Sequence, residues 1–271
     1  MTTLAALASS AVVMPAGADH EERSLRSQGS LRSHARLVSI SRDCDPDVRR
    51  RRWLVHNLCM RLDHLSFAAG PDGLAGTAER LGALLGTSFT DGGVHPRFGT
   101  RNMILPLTDS TYLEIVEVLD HPASDKAPFG QAVRARSAHG GGWLGWVVAV
   151  DDITPLESRL GREAVVGNRH RPDGTELRWR QIGVNGLIAD PQLPFFIQWE
   201  VPAELHPSAG ADGRFSLACL EIAGDPQRVS EWLGESVEAP LEDVKVEWVA
   251  PNGTPGINAV QIQTPTGLVR L

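Results

Sequence analysis

Cysteine is scarce in this chain, and its three copies exclude both a disulfide framework and a CxxC metal motif: Cys44 and Cys59 lie near the start, and Cys219 stands alone in an apolar run. Such usage suits a reducing compartment, so a cytoplasmic location is expected. No apolar run approaches the roughly 20 residues that cross a bilayer as a helix, which excludes an integral helical membrane protein. The opening Leu4–Met14 stretch lacks the positive flank of a secretory signal. Clustered positive charge is also missing from the body of the chain. Residues 1–59 hold nine arginines against six acids, about +3, so the remainder carries about −10 of the net −7. An acidic body argues against tracking a phosphate backbone, and nucleic acid is set aside as a partner.

The Ser- and Arg-rich segment before Met60 has no persistent period and ends in Arg49–Arg52. Residues 1–59 are expected to be a disordered tail or a mis-assigned start, because their composition buries too little apolar area to offset ordering entropy. The four-arginine run reads as a solvated patch.

From Met60 a weak internal repeat is visible. Leu62–Gly70 reads as a buried strand and turn, and Leu74, Ala78, Leu81 and Leu85 follow at helical spacing. Strand-like runs come next at Phe89–Val94, Asn102–Leu107 and Tyr112–Leu119, with a turn at Asp109-Ser110. About 82 residues further on, Leu144–Asp152 opens the order again, with a helix at Pro155–Leu160 and strands at Glu176–Ile182 and Phe195–Val201. A third opening at Leu217–Asp225 leads into a helix at Gln227–Leu233 and strands at Val244–Val249 and Ile257–Gln263. His139 with Gly140–Gly142 lacks the Lys-Ser/Thr of a phosphate loop and reads as a flexible linker between units. Several strands per helix favour an α+β class over a parallel sheet. The units are expected at about 60–138, 139–210 and 211–271.

In βαβββ order, His64 falls in the first strand and Glu114 in the last strand of the first unit. Around them stand Leu62-Asp-His64, Gly93-Val-His-Pro-Arg-Phe-Gly-Thr-Arg-Asn102, Tyr112-Leu-Glu114, Arg171-Pro-Asp-Gly-Thr-Glu-Leu-Arg-Trp179 and Pro194-Phe-Phe-Ile-Gln-Trp199. This ordered set resembles the glyoxalase-like domains of the vicinal oxygen chelate superfamily over most of residues 60–271. The resemblance implies repeated βαβββ modules forming a cupped mixed sheet with flanking helices. It also implies an open divalent site, with Zn, Ni, Mn or Fe as candidates, that polarises two neighbouring substrate oxygens. His64 and Glu114 are its implied ligands, with Glu114 also the catalytic residue. Gln198 is taken as the third ligand, with Glu200 as the alternative. Trp146 aligns opposite His64 and cannot ligate, because its only polar atom is a donor. Cys219 or Glu221 of the third unit could fill the gap instead.

Each residue also has a bland reading. His64 among apolar neighbours is commonly a hydrogen-bonded core histidine, whereas Glu114 in Tyr112-Leu-Glu-Ile-Val needs a cation, a metal or a shifted pKa if it is buried. Alternation puts Val116 on the same face as Glu114 and Leu113, Ile115 and Glu117 on the other. His95, Thr100 and Asn102 form an ordinary loop or a substrate-binding rim. Arg171 is a turn residue or an anion clamp, and Trp179, Phe196 and Trp199 are core or pocket wall. Two functions remain from different classes. One is a metal-dependent lyase, isomerase or dioxygenase acting on a small oxygenated molecule. The other is a metal-free protein that binds or sequesters a small ligand. In either case the partner is a small molecule, with no membrane partner, and a homodimer stays open.

Overall fold

In a computed structural model the described residues are 60–241 and 243–271, so the expectations for residues 1–59 lie outside them. The first module runs β1 (Met60–Ala68), α1 (Gly73–Leu85), β2 (Thr90–His95), β3 (Thr100–Pro106) and β4 (Tyr112–Val118). Leu74, Ala78, Leu81 and Leu85 form the buried stripe of α1, as their spacing requires, and Gly86 ends the helix at φ 71°. Asp109 and Ser110 both adopt positive φ between β3 and β4, the geometry of a tight hairpin turn.

Two helices absent from the strand-by-strand reading follow, α2 (Pro122–Lys126) and α3 (Pro128–Ala138). The glycine run after them is a built turn rather than a loose linker. Gly141 has φ 78°, and a side chain there would collide with the Ala68 carbonyl and the Gly70 backbone. The second module is β5 (Gly142–Val150), α4 (Thr154–Leu160), β6 (Val165–His170), β7 (Glu176–Ile182), α5 (Gly186–Ala189) and β8 (Phe195–Trp199).

Both modules have one topology: the first strand runs parallel to the last, giving orders β1-β4-β3-β2 and β5-β8-β7-β6. They join by β1 against β5 and β2 against β6 and close an eight-stranded barrel. The expected cup of βαβββ modules is therefore present. Alternation divides the apolar residues into two cores. Leu65, Leu113, Ile115, Trp146 and Phe196 belong to the outer one, while Val116, Phe129, Val147, Phe195 and Ile197 pack in the inner one.

The third opening is wired differently. β9 (Ser216–Ala223), α6 (Pro226–Leu233), β10 (Val246–Ala250), β11 (Gly256–Thr264) and β12 (Gly267–Arg270) form a separate sheet ordered β10-β9-β11-β12. Here β9 pairs in parallel with the strand straight after its helix. This sheet closes over the outer core: Trp232 Nε1 donates to the Pro194 carbonyl at 2.7 Å, and Arg159 donates to the Trp232 and Leu233 carbonyls. It adds no strand to the barrel, so the cup pairs the first unit with the second and not with the third.

Candidate functional site

The ladder between β1 and β5 shifts register between Leu62 and His64, and this bulge lets the adjacent residues Asp63 and His64 both meet groups of the inner site. Asp63 is wholly buried. Its carboxylate accepts from His64 Nδ1 at 2.7 Å, Trp199 Nε1 at 2.9 Å and His206 Nε2 at 3.1 Å. Burial alone would raise its pKa. The bonds and charges of His206 and His64 outweigh burial and hold the carboxyl far below its ordinary range. An ionised carboxylate only accepts, so both imidazoles present a proton to it, and a neutral His64 keeps its Nε2 lone pair for the cup.

His64 Nε2 faces Glu114 Oε2 at 3.9 Å, and His95 Nε2 faces Glu114 Oε1 at 3.8 Å. Glu114 also accepts from Ser66 Oγ at 2.8 Å and Asn102 Nδ2 at 2.7 Å. Desolvation pushes its pKa up, but the two imidazoles and the two hydrogen bonds win, and the group sits below its ordinary value. His95 Nδ1 pairs with Thr100 Oγ1 at 2.9 Å. Its burial, aided by Arg169 and His64 and opposed by Glu114, lowers its pKa to about 4, so it is neutral at physiological pH. Tyr112 stacks on His64 at 4.5 Å, and burial beside two carboxylates raises its pKa well above the usual value, keeping the hydroxyl protonated.

These groups surround a cavity of about 30 Å³, room for about two waters. Trp179, Gln181, Phe98 and Phe129 complete much of its wall, and Trp199 is the lining residue that reaches toward the surface.

The structure brings together His64, Glu114, His95, Thr100, Asn102 and Trp179 of the expected residues. The other candidates lie elsewhere. Gln198 lies on the outer side of β8, where its Oε1 accepts from the Ile153 backbone N–H at 3.0 Å; Glu200 is exposed. Ile197 and Trp199 take the inward positions of that strand. Arg171 donates to the Leu205 carbonyl at 2.6 Å and is a loop tie, not a clamp in the cup. Cys219 and Glu221 belong to the second sheet, where Glu221 is gripped by Arg270, Gln261 and Asn258. Trp146 points outward and donates to the Gln192 carbonyl at 2.8 Å, while Val147 stands in register with His64.

Among the residues of the site that were missed are Asp63, Tyr112, His206 and Arg169. Asp63 had a readable signal, since a charged residue inside an apolar strand start needs a partner. Arg169 had none, because Val165–His170 lacks an apolar alternation.

A glyoxalase-like domain profile matches residues 62–237. The chain belongs to the glyoxalase-like domain family. No curated protein matches it. Among solved structures it is similar to a hypothetical protein from Staphylococcus aureus, at 17% identity over 78% of this chain and 85% of that one, with TM-score 0.48. It is also similar to methylmalonyl-CoA epimerase from Mycobacterium tuberculosis, at 16% identity over 52% and 88%, with TM-score 0.34. A 4-hydroxymandelate synthase mutant from Streptomyces coelicolor follows at 15% identity over 79% and 63%, with TM-score 0.37.

The metal set implied for this glyoxalase-like domain can be tested on its donors. The first module supplies His64 and Glu114 at a separation that two ligands of one ion could have, on the order of 3–4 Å for bonds of about 2.0–2.2 Å. The second module presents Val147, Phe195 and Ile197, none of which has a lone pair, and Gln181, whose Oε1 already accepts from Trp179 Nε1 at 2.7 Å, and it adds the cationic Arg169 to the same cavity. His64 and His95 face different oxygens of Glu114, and among the described residues no three His, Cys, Asp or Glu side chains are gathered as an ion would need. The residues present do not fit a four-ligand divalent site.

Proposed function

We propose that the cup is the active site of an enzyme that moves a proton on a small oxygenated molecule, as isomerases and lyases do, with His64 as the base. The observation that carries this reading is the Asp63–His64 pair. A carboxylate fixes Nδ1–H at 2.7 Å and leaves Nε2 facing the cavity, the orienting logic of acid–base dyads.

When Nε2 takes a proton, the resulting imidazolium lies between Asp63 on one nitrogen and Glu114 near the other, so the developing charge is met by two fixed carboxylates. Tyr112, held protonated against the His64 ring, supplies a hydroxyl for an oxygen of the substrate on which negative charge gathers. The aromatic walls lower the local polarity and so strengthen each of these interactions. Glu114 thereby keeps a catalytic role as the charge that steadies His64. A divalent ion, the role first implied for this pair, would find His64 and Glu114 but, from the second module, only Gln181, whose oxygen is already engaged by Trp179.

The test is solvent exchange. Protein in D₂O is incubated with pyruvate, 2-oxobutyrate and hydroxyacetone, and loss of the proton signal next to the carbonyl is followed by NMR. Exchange that persists with a chelator and disappears in His64→Gln is the expected result. Retained binding of these molecules with no exchange from any of them would overturn the reading. The metal-free binding protein, which the same largely apolar cavity favours, would then stand.

A further inference from the structure

Arg169 is the feature of the cup that the proton-transfer reading leaves unused. It projects from β6 into the cavity, it is 1% exposed, and its Nε and Nη2 have no hydrogen-bond partner. A buried guanidinium with idle donors is costly, because desolvation is offset only when a partner takes the hydrogen bonds. Burial lowers its pKa, but an arginine does not escape by deprotonating. Glu114 and Asp63 are near enough to act on it through space, yet neither forms an ion pair with it.

The geometry of the idle atoms names the missing partner. Nε–H and the adjacent Nη2–H lie along one edge of the guanidinium plane and point the same way. That edge takes a carboxylate through two parallel bonds. The idle edge meets a cavity of about 30 Å³ with apolar walls from Trp179, Phe195 and Phe129, and the acceptors that share the lining, Glu114 and Gln181, are already engaged by Ser66, Asn102 and Trp179. A phosphate would bring more oxygens than the free edge has donors.

We infer that Arg169 is a carboxylate clamp, and that the substrate of this site is a small carboxylic acid whose acid group sits on Arg169 while its reacting carbon faces His64. This rests on the proton-transfer reading for the second half of the statement only. Trp199 marks the partly exposed side from which the acid enters.

The experiment uses the full chain at constant ionic strength, with acetate and its neutral isostere acetamide as probes, read by the rise in melting temperature and by tryptophan fluorescence. Acetate should give a saturable response and acetamide at least ten-fold weaker binding. Arg169→Met should lose at least ten-fold in acetate affinity, and Arg169→Lys, which keeps charge without the fork, should retain only part of it.

Without ligand, Arg169→Met should melt at or above the parent temperature, because an unpaired cation has been removed. A structural arginine would give a clear fall instead. Equal response to acetate and acetamide, no acetate binding, or undiminished acetate binding by Arg169→Met would overturn the clamp. The comparison on the parent protein decides the matter even if a variant fails to fold. Acetate binding retained by His64→Gln, with no proton exchange in the parent, would leave the clamp standing and remove the proton-transfer reading. Exchange on hydroxyacetone that survives in Arg169→Met, with no preference for acetate, would do the reverse.

Discussion

Replacing Asp63 with asparagine tests the central geometry, since it keeps the shape and removes one of the two acceptor oxygens. In the parent, Oδ1 serves His64 Nδ1 and Oδ2 serves both His206 Nε2 and Trp199 Nε1. Asparagine must turn its NH₂ toward one of these sides. Turned toward Oδ2's partners it faces two N–H donors and loses two bonds, so the favoured orientation puts it toward His64. His64 can then accept at Nδ1 and carry its proton on Nε2, which removes the lone pair from the cup.

The stability cost is the loss of charge in three buried bonds, about 1.5–3 kcal/mol in all from the gap between hydrogen bonds to ions and to neutral acceptors. For a domain of about 200 residues that lowers the melting temperature by roughly 3–12 °C. The effect on turnover should be far larger, on the order of 10⁴-fold, because the tautomer is wrong while the fold survives. Thermal melts by circular dichroism and the proton-exchange assay measure the two effects. The sign with pH is fixed as well. Asp63 has a depressed folded pKa, so its contribution is present above the ordinary aspartate value and is lost as pH falls below it. The variant should therefore lose less stability than the parent on going from pH 7 to pH 3. A variant that melts within a degree of the parent and exchanges protons at the parent rate would refute the orienting role of Asp63.

His95, with its pKa lowered to about 4 by burial, should show no titration of its ring carbon signals between pH 8 and 5.5; a midpoint near 6.5 would show that it is solvated or charged. Because the unfolded chain binds this proton from about pH 6.5 downward and the folded chain does not, His95 should lower stability progressively as pH falls from there toward 4, and His95→Gln should flatten that slope. On the second sheet, the paired bonds from Arg270 hold Glu221 down to about 2, so its contribution is present above pH 4.5 and fades toward pH 2. Urea melts of Glu221→Gln should differ from the parent at pH 7 and converge near pH 2, with the gap narrowed by 0.5 M salt, since Arg270 is half exposed; a constant gap would dismiss the ion pair. Zinc, nickel and manganese added to chelator-treated protein should bind no more tightly than tens of micromolar, as two ligands allow; a nanomolar site abolished by His64→Ala and Glu114→Ala would restore the metal.

Much of the fold was legible in the sequence because its signals are local. The stripe Leu74–Leu85 and the run Tyr112–Val118 declare their period without help from the rest of the chain, and alternation alone put Val116 on the face of Glu114. The pairing of His64 with Glu114 was legible too, since both sit at module positions that the resemblance marks. Local pattern failed where the backbone departs from a simple period or where an element lacks an apolar face. The bulge after Leu62 turned Asp63 inward, and one residue of strand phase decided that Gln198 faces out while Ile197 and Trp199 face in. β6 has too little apolar content to be read as a strand, so nothing in the sequence singled out Arg169. Barrel closure settled the rest. It set β6 against β2 and carried Arg169 into the same cavity as His64, a contact between residues 105 positions apart that no local spacing encodes.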